Sequence, residues 1–299
     1  MPNTRVNGIR IEYETYGAPS DPALLLTIGL GCQLIYWDEP LCRRLAESGL
    51  FVIRYDNRDT GLSTRFDDAG EPDMEAIMKA LMQGKSANTA YTLNDMVDDA
   101  AGLLDALGIE KAHICGMSMG ANIAMDFAVR YPARTLSLIP IYGSSGDPGL
   151  PGPDPEAMNI FFEPIPDEKD AFVERLVRDF KILAGSGFPF DEPWHRDLAA
   201  RAFDRGYYPE GTSRNLAAVI TAGSRKAALA SVTVPALVIH GTEDPIVPVD
   251  ASHDIAAAIP DAELMIIDGM GHDVPHDGPW FQIIERMMAF TAKQKKCIE

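Results

Sequence analysis

The sequence predicts an α/β protein: a mainly parallel central sheet flanked by helices, with a helical segment inserted late in the chain. Three observations carry this prediction. Short continuous apolar runs recur along the chain, as strands buried on both faces of a parallel sheet require. Helical patterns separate the runs, and strand–helix alternation builds such a sheet. One long stretch between two of the runs holds helical pieces and no buried-strand pattern.

The elements follow in order. "RIEYETYG" (Arg10–Gly17) alternates apolar and polar residues and reads as a half-buried strand. Continuous apolar runs follow at Ala23–Gly29, Leu50–Asp56, Ala112–Met117, Leu136–Gly143, Ala236–Gly241 and Glu263–Asp268. Helices are expected at Glu39–Gly49, which has a glycine stop, and at Thr92–Gly108, which has a threonine cap, early acids and a glycine end. Ala121–Pro132 and Trp280–Lys293 also have helical spacing. Residues 66–91, polar and methionine-bearing, interrupt the rhythm. Residues 146–225 interrupt it again, with helical pieces such as "KDAFVERLVRDFKILAG" and ten aromatics between Phe161 and Tyr208. The expected organisation is one core, residues 1–145 and 226–299, with a helical cap over 146–225.

Composition narrows the function. The 299 residues are 46% hydrophobic and 23% charged, values of a globular chain with a large core. No apolar run reaches the roughly 18 residues of a membrane helix. The start, "MPNTRVNGIRIEYE", is polar where a signal peptide is apolar, so a cytoplasmic protein is expected. A net charge of −18 repels phosphate backbones and anionic lipid, which argues against nucleic acid and membrane surfaces as partners. Cys32, Cys42, Cys115 and Cys297 show no C-x-x-C spacing. They read as free thiols, and no metal site or organic cofactor is expected.

The chemistry centres on Gly116-Met117-Ser118-Met119-Gly120. Composition alone gives such a string odds of roughly one in ten, so its setting must decide. A buried strand ends at about Met117 and a helix starts at Ser118 or just after, the strand–turn–helix context of a nucleophile elbow. A serine hydroxyl is a weak nucleophile unless it is held exposed beside a base. The sharp turn lifts it out of the sheet and crowds the backbone two residues away, where glycine lacks a Cβ. An orienting acid and a base should follow in that order. Asp244, after the run "ALVIH" and before Pro245, is the acid, with Glu243 as rival. His272, in the loop after the last strand, is the base, with His276 as rival. His253 reads as surface, His240 as structural, and His113 and His195 have no partner pattern. The backbone N–H groups of Met119 and of Leu30, in "IGLGCQ", are the expected oxyanion donors.

These motifs resemble those of the α/β-hydrolases over nearly the whole chain. "LLLTIGLG" resembles the family's oxyanion loop, with Ile28-Gly29 where many members have His-Gly. "RYDNRDTGLSTR" resembles its Asp-x-Arg-x-x-Gly-x-Ser segment, and "GMSMG", "HGTEDPIVP" and "GMGH" its nucleophile, acid and histidine motifs. "YDNRDTGLST", "SMGA" and "FKILAGSGFPFDE" (Phe180–Glu192) resemble the branch that includes aclacinomycin methylesterase. The resemblance implies hydrolysis of a hydrophobic small-molecule ester, a methyl ester among the candidates, through an acyl-enzyme. Perhydrolysis, thioester cleavage, lactone opening and acyl transfer use the same triad and stay open, as does a ligand-binding protein without turnover. Phe161, Phe162 and Trp194 are the expected pocket residues of the cap.

Overall fold

A computed structural model describes residues 2–276 and 278–295. The chain opens with the antiparallel pair β1 (Asn3–Val6) and β2 (Ile9–Tyr16), joined by an Asn7-Gly8 turn. Then come β3 (Ala23–Thr27), α1 (Glu39–Glu47), β4 (Phe51–Tyr55), α2 (Met74–Met82) and α3 (Leu93–Ala106). β5 (Ala112–Met117), α4 (Met119–Arg130) and β6 (Thr135–Ile141) follow. A helical insert carries α5 (Pro155–Met158), α6 (Lys169–Leu183), α7 (Glu192–Gly206) and α8 (Pro209–Thr221), after which α9 (Lys226–Leu229) packs on the core through Leu229. The chain then returns to β7 (Leu237–Gly241), α10 (Asp250–Ala258), β8 (Glu263–Ile267) and α11 (Pro279–Lys295).

The strand order is β1-β2-β4-β3-β5-β6-β7-β8. β1–β2 and β2–β4 are antiparallel, and the remaining pairs are parallel. Every residue of β3, β4, β5 and β7 is buried, which is why these strands appear in the sequence as unbroken apolar runs. Alternate side chains serve two core layers. Leu25, Ile53 and Ile114 meet Val97 and Leu104 of α3 and Ile123 and Phe127 of α4. Leu24, Leu26, Val52 and Cys115 meet Leu41 and Leu45 of α1 and Ile283 and Met287 of α11. β5 lies between β3 and β6, so its carboxyl end opens at the middle of the sheet edge.

Local signals shape the helices as their sequences suggest. Thr92 caps α3 in a capping box, with its hydroxyl accepting from the Asp95 N–H and the Asp95 carboxylate accepting from the Thr92 N–H. Two elements depart from the sequence reading. β1 was not expected, because only its last residue, Val6, is buried. The 66–91 stretch contains α2, capped by Asp73, whose carboxylate accepts from the Ala76 N–H.

The segment after β4 brackets the insert onto the sheet. Asp56 receives Arg205 of α7 at 2.7 Å, and Asp59 receives Arg214 of α8 at 2.8 Å, with both carboxylates and Arg214 buried. Arg58 turns the other way, to Asp99 of α3 at 2.7 Å. The described cysteines, Cys32, Cys42 and Cys115, are free thiols, whereas Cys297 lies outside the described residues. Among the described residues no helix is long and apolar enough to cross a membrane.

Candidate active site

β5 ends at Met117, and the chain turns at Ser118 into α4. Ser118 has φ 54° and ψ −119°, a sparsely populated region for a residue with a side chain. Its N–H donates to the Ile141 carbonyl at 3.0 Å, and the Ala121 and Asn122 N–H groups donate back to its own carbonyl. The turn leaves no room beside it. A Cβ on Gly116 would lie 2.0 Å from the Gly120 carbonyl oxygen, and one on Gly120 would lie 2.2 Å from that of Thr27. Met119 opens α4, where first-turn N–H groups have no acceptor within the helix. Gly29, just before Leu30, passes over the serine: a Cβ there would sit 3.3 Å from the Ser118 Cβ.

The structure brings Ser118, His272 and Asp244 together. His272 Nε2 lies 2.9 Å from Ser118 Oγ, and Nδ1 lies 2.6 Å from Asp244 Oδ2. A carboxylate only accepts, so Nδ1 donates, and Nε2 is left to accept from the serine hydroxyl. Asp244 Oδ1 accepts from the Ile246 N–H at 2.9 Å and the Val247 N–H at 2.8 Å. Burial alone would raise the Asp244 carboxyl. The facing His272 imidazole, with hydrogen bonds from His240 and His272, outweighs burial and holds it well below the usual carboxylate range.

Tyr142, at φ 39°, sets its ring 4.5 Å from the His272 ring, and its hydroxyl donates to Met117 Sδ at 2.9 Å.

The helical insert grips the histidine loop. The His272 N–H donates to the Leu183 carbonyl at 2.8 Å, and the Gly187 N–H donates to the Gly269 carbonyl at 3.0 Å. The two backbones cross so closely that a Cβ on Gly185 would lie 2.1 Å from the Gly269 carbonyl oxygen. His195 of α7 reaches Asp273, the neighbour of His272, with Nε2 3.0 Å from Oδ2, while its Nδ1 lies 2.8 Å from the Asp191 carbonyl. Both partners only accept, so the ring binds them best as a cation. Burial would push the ring toward neutrality, but the Asp273 carboxylate outweighs it and raises its pKa above the ordinary histidine value.

The rival residues are engaged elsewhere. Glu243 accepts from the Ser186 N–H at 2.5 Å and from its hydroxyl at 3.0 Å. His276 packs between Trp194 and Trp280, with ring centroids 4.2 and 5.1 Å away. His253 is exposed on α10, and His113 meets Ser137 Oγ inside the sheet. His195, which has no partner pattern in the sequence, finds its partner Asp273 across 78 residues, where no local pattern can form. His240, read as structural, is buried, with its Nε2 2.7 Å from the Val247 carbonyl and 3.2 Å from Asp244 Oδ2.

A cavity of about 700 Å³ opens above Ser118, between the sheet edge and the insert. Leu30, Ser118, His272, Phe161, Phe162 and Trp194 all line it. Glu71 and Met74 line it too, from the stretch that the sequence reading left as an interruption. Among the described residues no group of three or more His, Cys, Asp or Glu side chains could hold a metal ion.

The chain matches known proteins along most of its length. A rhodomycin D methylesterase of Streptomyces sp. strain C5 is 32% identical over 284 residues, covering 88% of each chain. A putative carbamate hydrolase of Variovorax paradoxus strain S110 is 26% identical, covering 92% of this chain and 91% of its own. Among solved structures, the esterase RhEst1 from Rhodococcus sp. ECU1013 superposes with a TM-score of 0.75 at 17% identity, covering 97% of both chains. An enol-lactonase from Burkholderia xenovorans LB400 superposes at 0.70 with 23% identity, covering 99% of this chain and 98% of its own. The family model for the alpha/beta hydrolase fold matches residues 22–279, and the chain therefore belongs to that family.

Proposed function

We propose that this protein is a serine hydrolase of carboxylic esters, acting on a bulky, mostly apolar acid esterified to a small alcohol, a methyl ester foremost. The observation that carries the reading is the relay from Ser118 through His272 to Asp244, opening into the cavity roofed by the insert. His272 takes the Ser118 proton as the hydroxyl attacks the ester carbonyl. The Met119 and Leu30 N–H groups receive the oxyanion, and Asp244 stabilises the imidazolium. The alcohol leaves with the proton from His272. Water, activated by the same ring, then releases the acid. The similarity to a methylesterase supports the small alcohol.

Residues 146–225 serve in this reading as a cap. Phe161, Phe162 and Trp194 supply apolar surface to the acyl part, which gains about 25 cal/mol for each Å² removed from water. A fluorophosphonate probe should label Ser118, and kcat/KM for methyl esters should rise with the size of the apolar acyl part. Labelling at another residue would remove the nucleophile assignment, and rates independent of acyl size would remove the pocket.

A further inference from the structure

His240 is the penultimate residue of β7 and is fully buried. Its Nε2 lies 2.7 Å from the Val247 carbonyl and 3.2 Å from Asp244 Oδ2, and its Nδ1 lies 2.5 Å from Ser252 Oγ on α10. A carbonyl oxygen only accepts, so Nε2 carries the proton, and the Ser252 hydroxyl can donate to Nδ1. Nε2–H therefore donates to the Val247 carbonyl, and the same polar edge stands 3.2 Å from Asp244 Oδ2, an oxygen that already accepts from His272. We propose that His240 is a positioning residue for the base, dividing the Asp244 Oδ2 oxygen with His272 and so limiting how strongly the carboxylate favours the imidazolium.

The inference rests on the reading of Ser118, His272 and Asp244 as nucleophile, base and acid. The sharing has a direction. Asp244 Oδ1 stays anchored by the Ile246 and Val247 N–H groups whatever His240 does, so the carboxylate keeps its place when the Nε2–H donor is removed. Oδ2 then serves His272 alone, and the protonated ring is favoured. His240 thus keeps the base deprotonated, and so able to act, to lower pH. Titratable groups near His272 include its neighbour Asp273, engaged by His195, the Tyr142 phenol packed against its ring, and the Cys32 thiol of the same cavity. Burial pushes Tyr142 well above its usual range and Cys32 up to about 12, so both stay uncharged through the working range.

The test follows the His272 ring by ¹H–¹⁵N NMR titration in the intact protein, its signals identified by their loss in His272→Gln. In His240→Leu the His272 midpoint should move upward by about 0.5 to 1 pH unit, the scale of one neighbouring hydrogen bond. His240→Gln, whose amide can return a donor near Nε2, should restore it. Ser252→Ala, which leaves the ring in place but weakens its Nε2–H donor, should give a smaller upward move and covers the case in which His240→Leu does not fold. An unmoved or lowered midpoint in the folded variants overturns the inference. The readout needs no turnover, so it stays separate from the failure of the ester reading, which would appear as no hydrolysis and no fluorophosphonate label in the parent protein. In an active enzyme, the acid limb of kcat/KM should move with the ring, whereas a merely structural defect would lower the profile evenly.

Discussion

Ser118 and His272 face each other across 2.9 Å, yet they are held by different parts of the molecule. Ser118 belongs to the core alone: the end of β5, the start of α4, the Ile141 carbonyl and the close passage of Thr27 fix it. His272 is held from two sides. Asp244 and Tyr142 reach it from the core, while the Leu183 carbonyl and the His195–Asp273 pair hold its loop from the helical insert. In the proposed reading, Ser118 as nucleophile should thus tolerate changes in the insert, and His272 as base should not. A purely substrate-selecting role is one reading of the insert. It fits Phe161 and Phe162, whereas α7 carries both a pocket residue, Trp194, and a residue that braces the base loop, His195.

The largest effect should come from the core side. Ser118→Ala is expected to lower kcat by about 10³-fold or more on a p-nitrophenyl ester while leaving the melting temperature near that of the parent. A near-parental rate would move the nucleophile elsewhere, although burial raises the nearby Cys115 thiol and leaves it a poor substitute.

Next in size is the acid. Asp244→Asn should cost roughly 10² to 10⁴ in kcat, because an amide cannot stabilise the imidazolium and favours the wrong tautomer. Glu243→Gln should stay within a few-fold, since that carboxylate faces Ser186 rather than His272. Equal losses in the two variants, measured side by side on one substrate, would break the assignment.

The insert-side test is smaller and separates its two jobs. His195→Ala should lower kcat by roughly 10-fold for p-nitrophenyl acetate and bulky esters alike, the scale of one lost hydrogen bond to a charged group. Phe161→Ala should instead reorder the ester series and spare the small activated ester. If His195→Ala also reorders the series without a general loss, the base loop does not depend on the insert.

The smallest effect is a pH dependence of stability. Asp273 raises His195 above its unfolded value of 6.5, so the charged pair stabilises the folded state fully below that value. Its contribution is lost as pH rises through the higher folded value. The melting-temperature gap between the parent and His195→Gln should therefore be widest in mild acid and close toward alkaline pH. A gap that widens with pH would mean the ring is held neutral.

The same contrast explains what could be read in the sequence. The elbow is local: a strand, Gly-x-Ser-x-Gly and a helix lie within a few residues, and the crowding that selects Gly116 and Gly120 arises inside that turn. Asp244 stood out because its turn, closed by Pro245, also follows directly on a buried run. The braces on His272 are tertiary. His195 meets Asp273 across 78 residues, and the Leu183 carbonyl contributes only its backbone, so neither leaves a motif. α2 was hidden for a related reason: within it only Ile77 is buried, too narrow a stripe to impose a clear helical period. β1 offered a single buried side chain where alternation needs several.

The crossing of Leu183–Gly187 over Gly269–His272 bears on how this scaffold can be re-engineered. Side chains that face the cavity can be exchanged for others, because the space around them is open to a change of ligand. The crossing is a backbone joint in which the two strands occupy each other's Cβ positions, and a Cβ on Gly187 would lie 2.6 Å from the Gly269 Cα. A chimera that imports a whole roof from a relative must therefore import a strap that fits the host loop, or keep the host's own. Library designs that randomise Phe161 and Phe162 but freeze residues 183–187 respect this division, and substrate range can then diversify on one side of the joint while the base remains in register on the other.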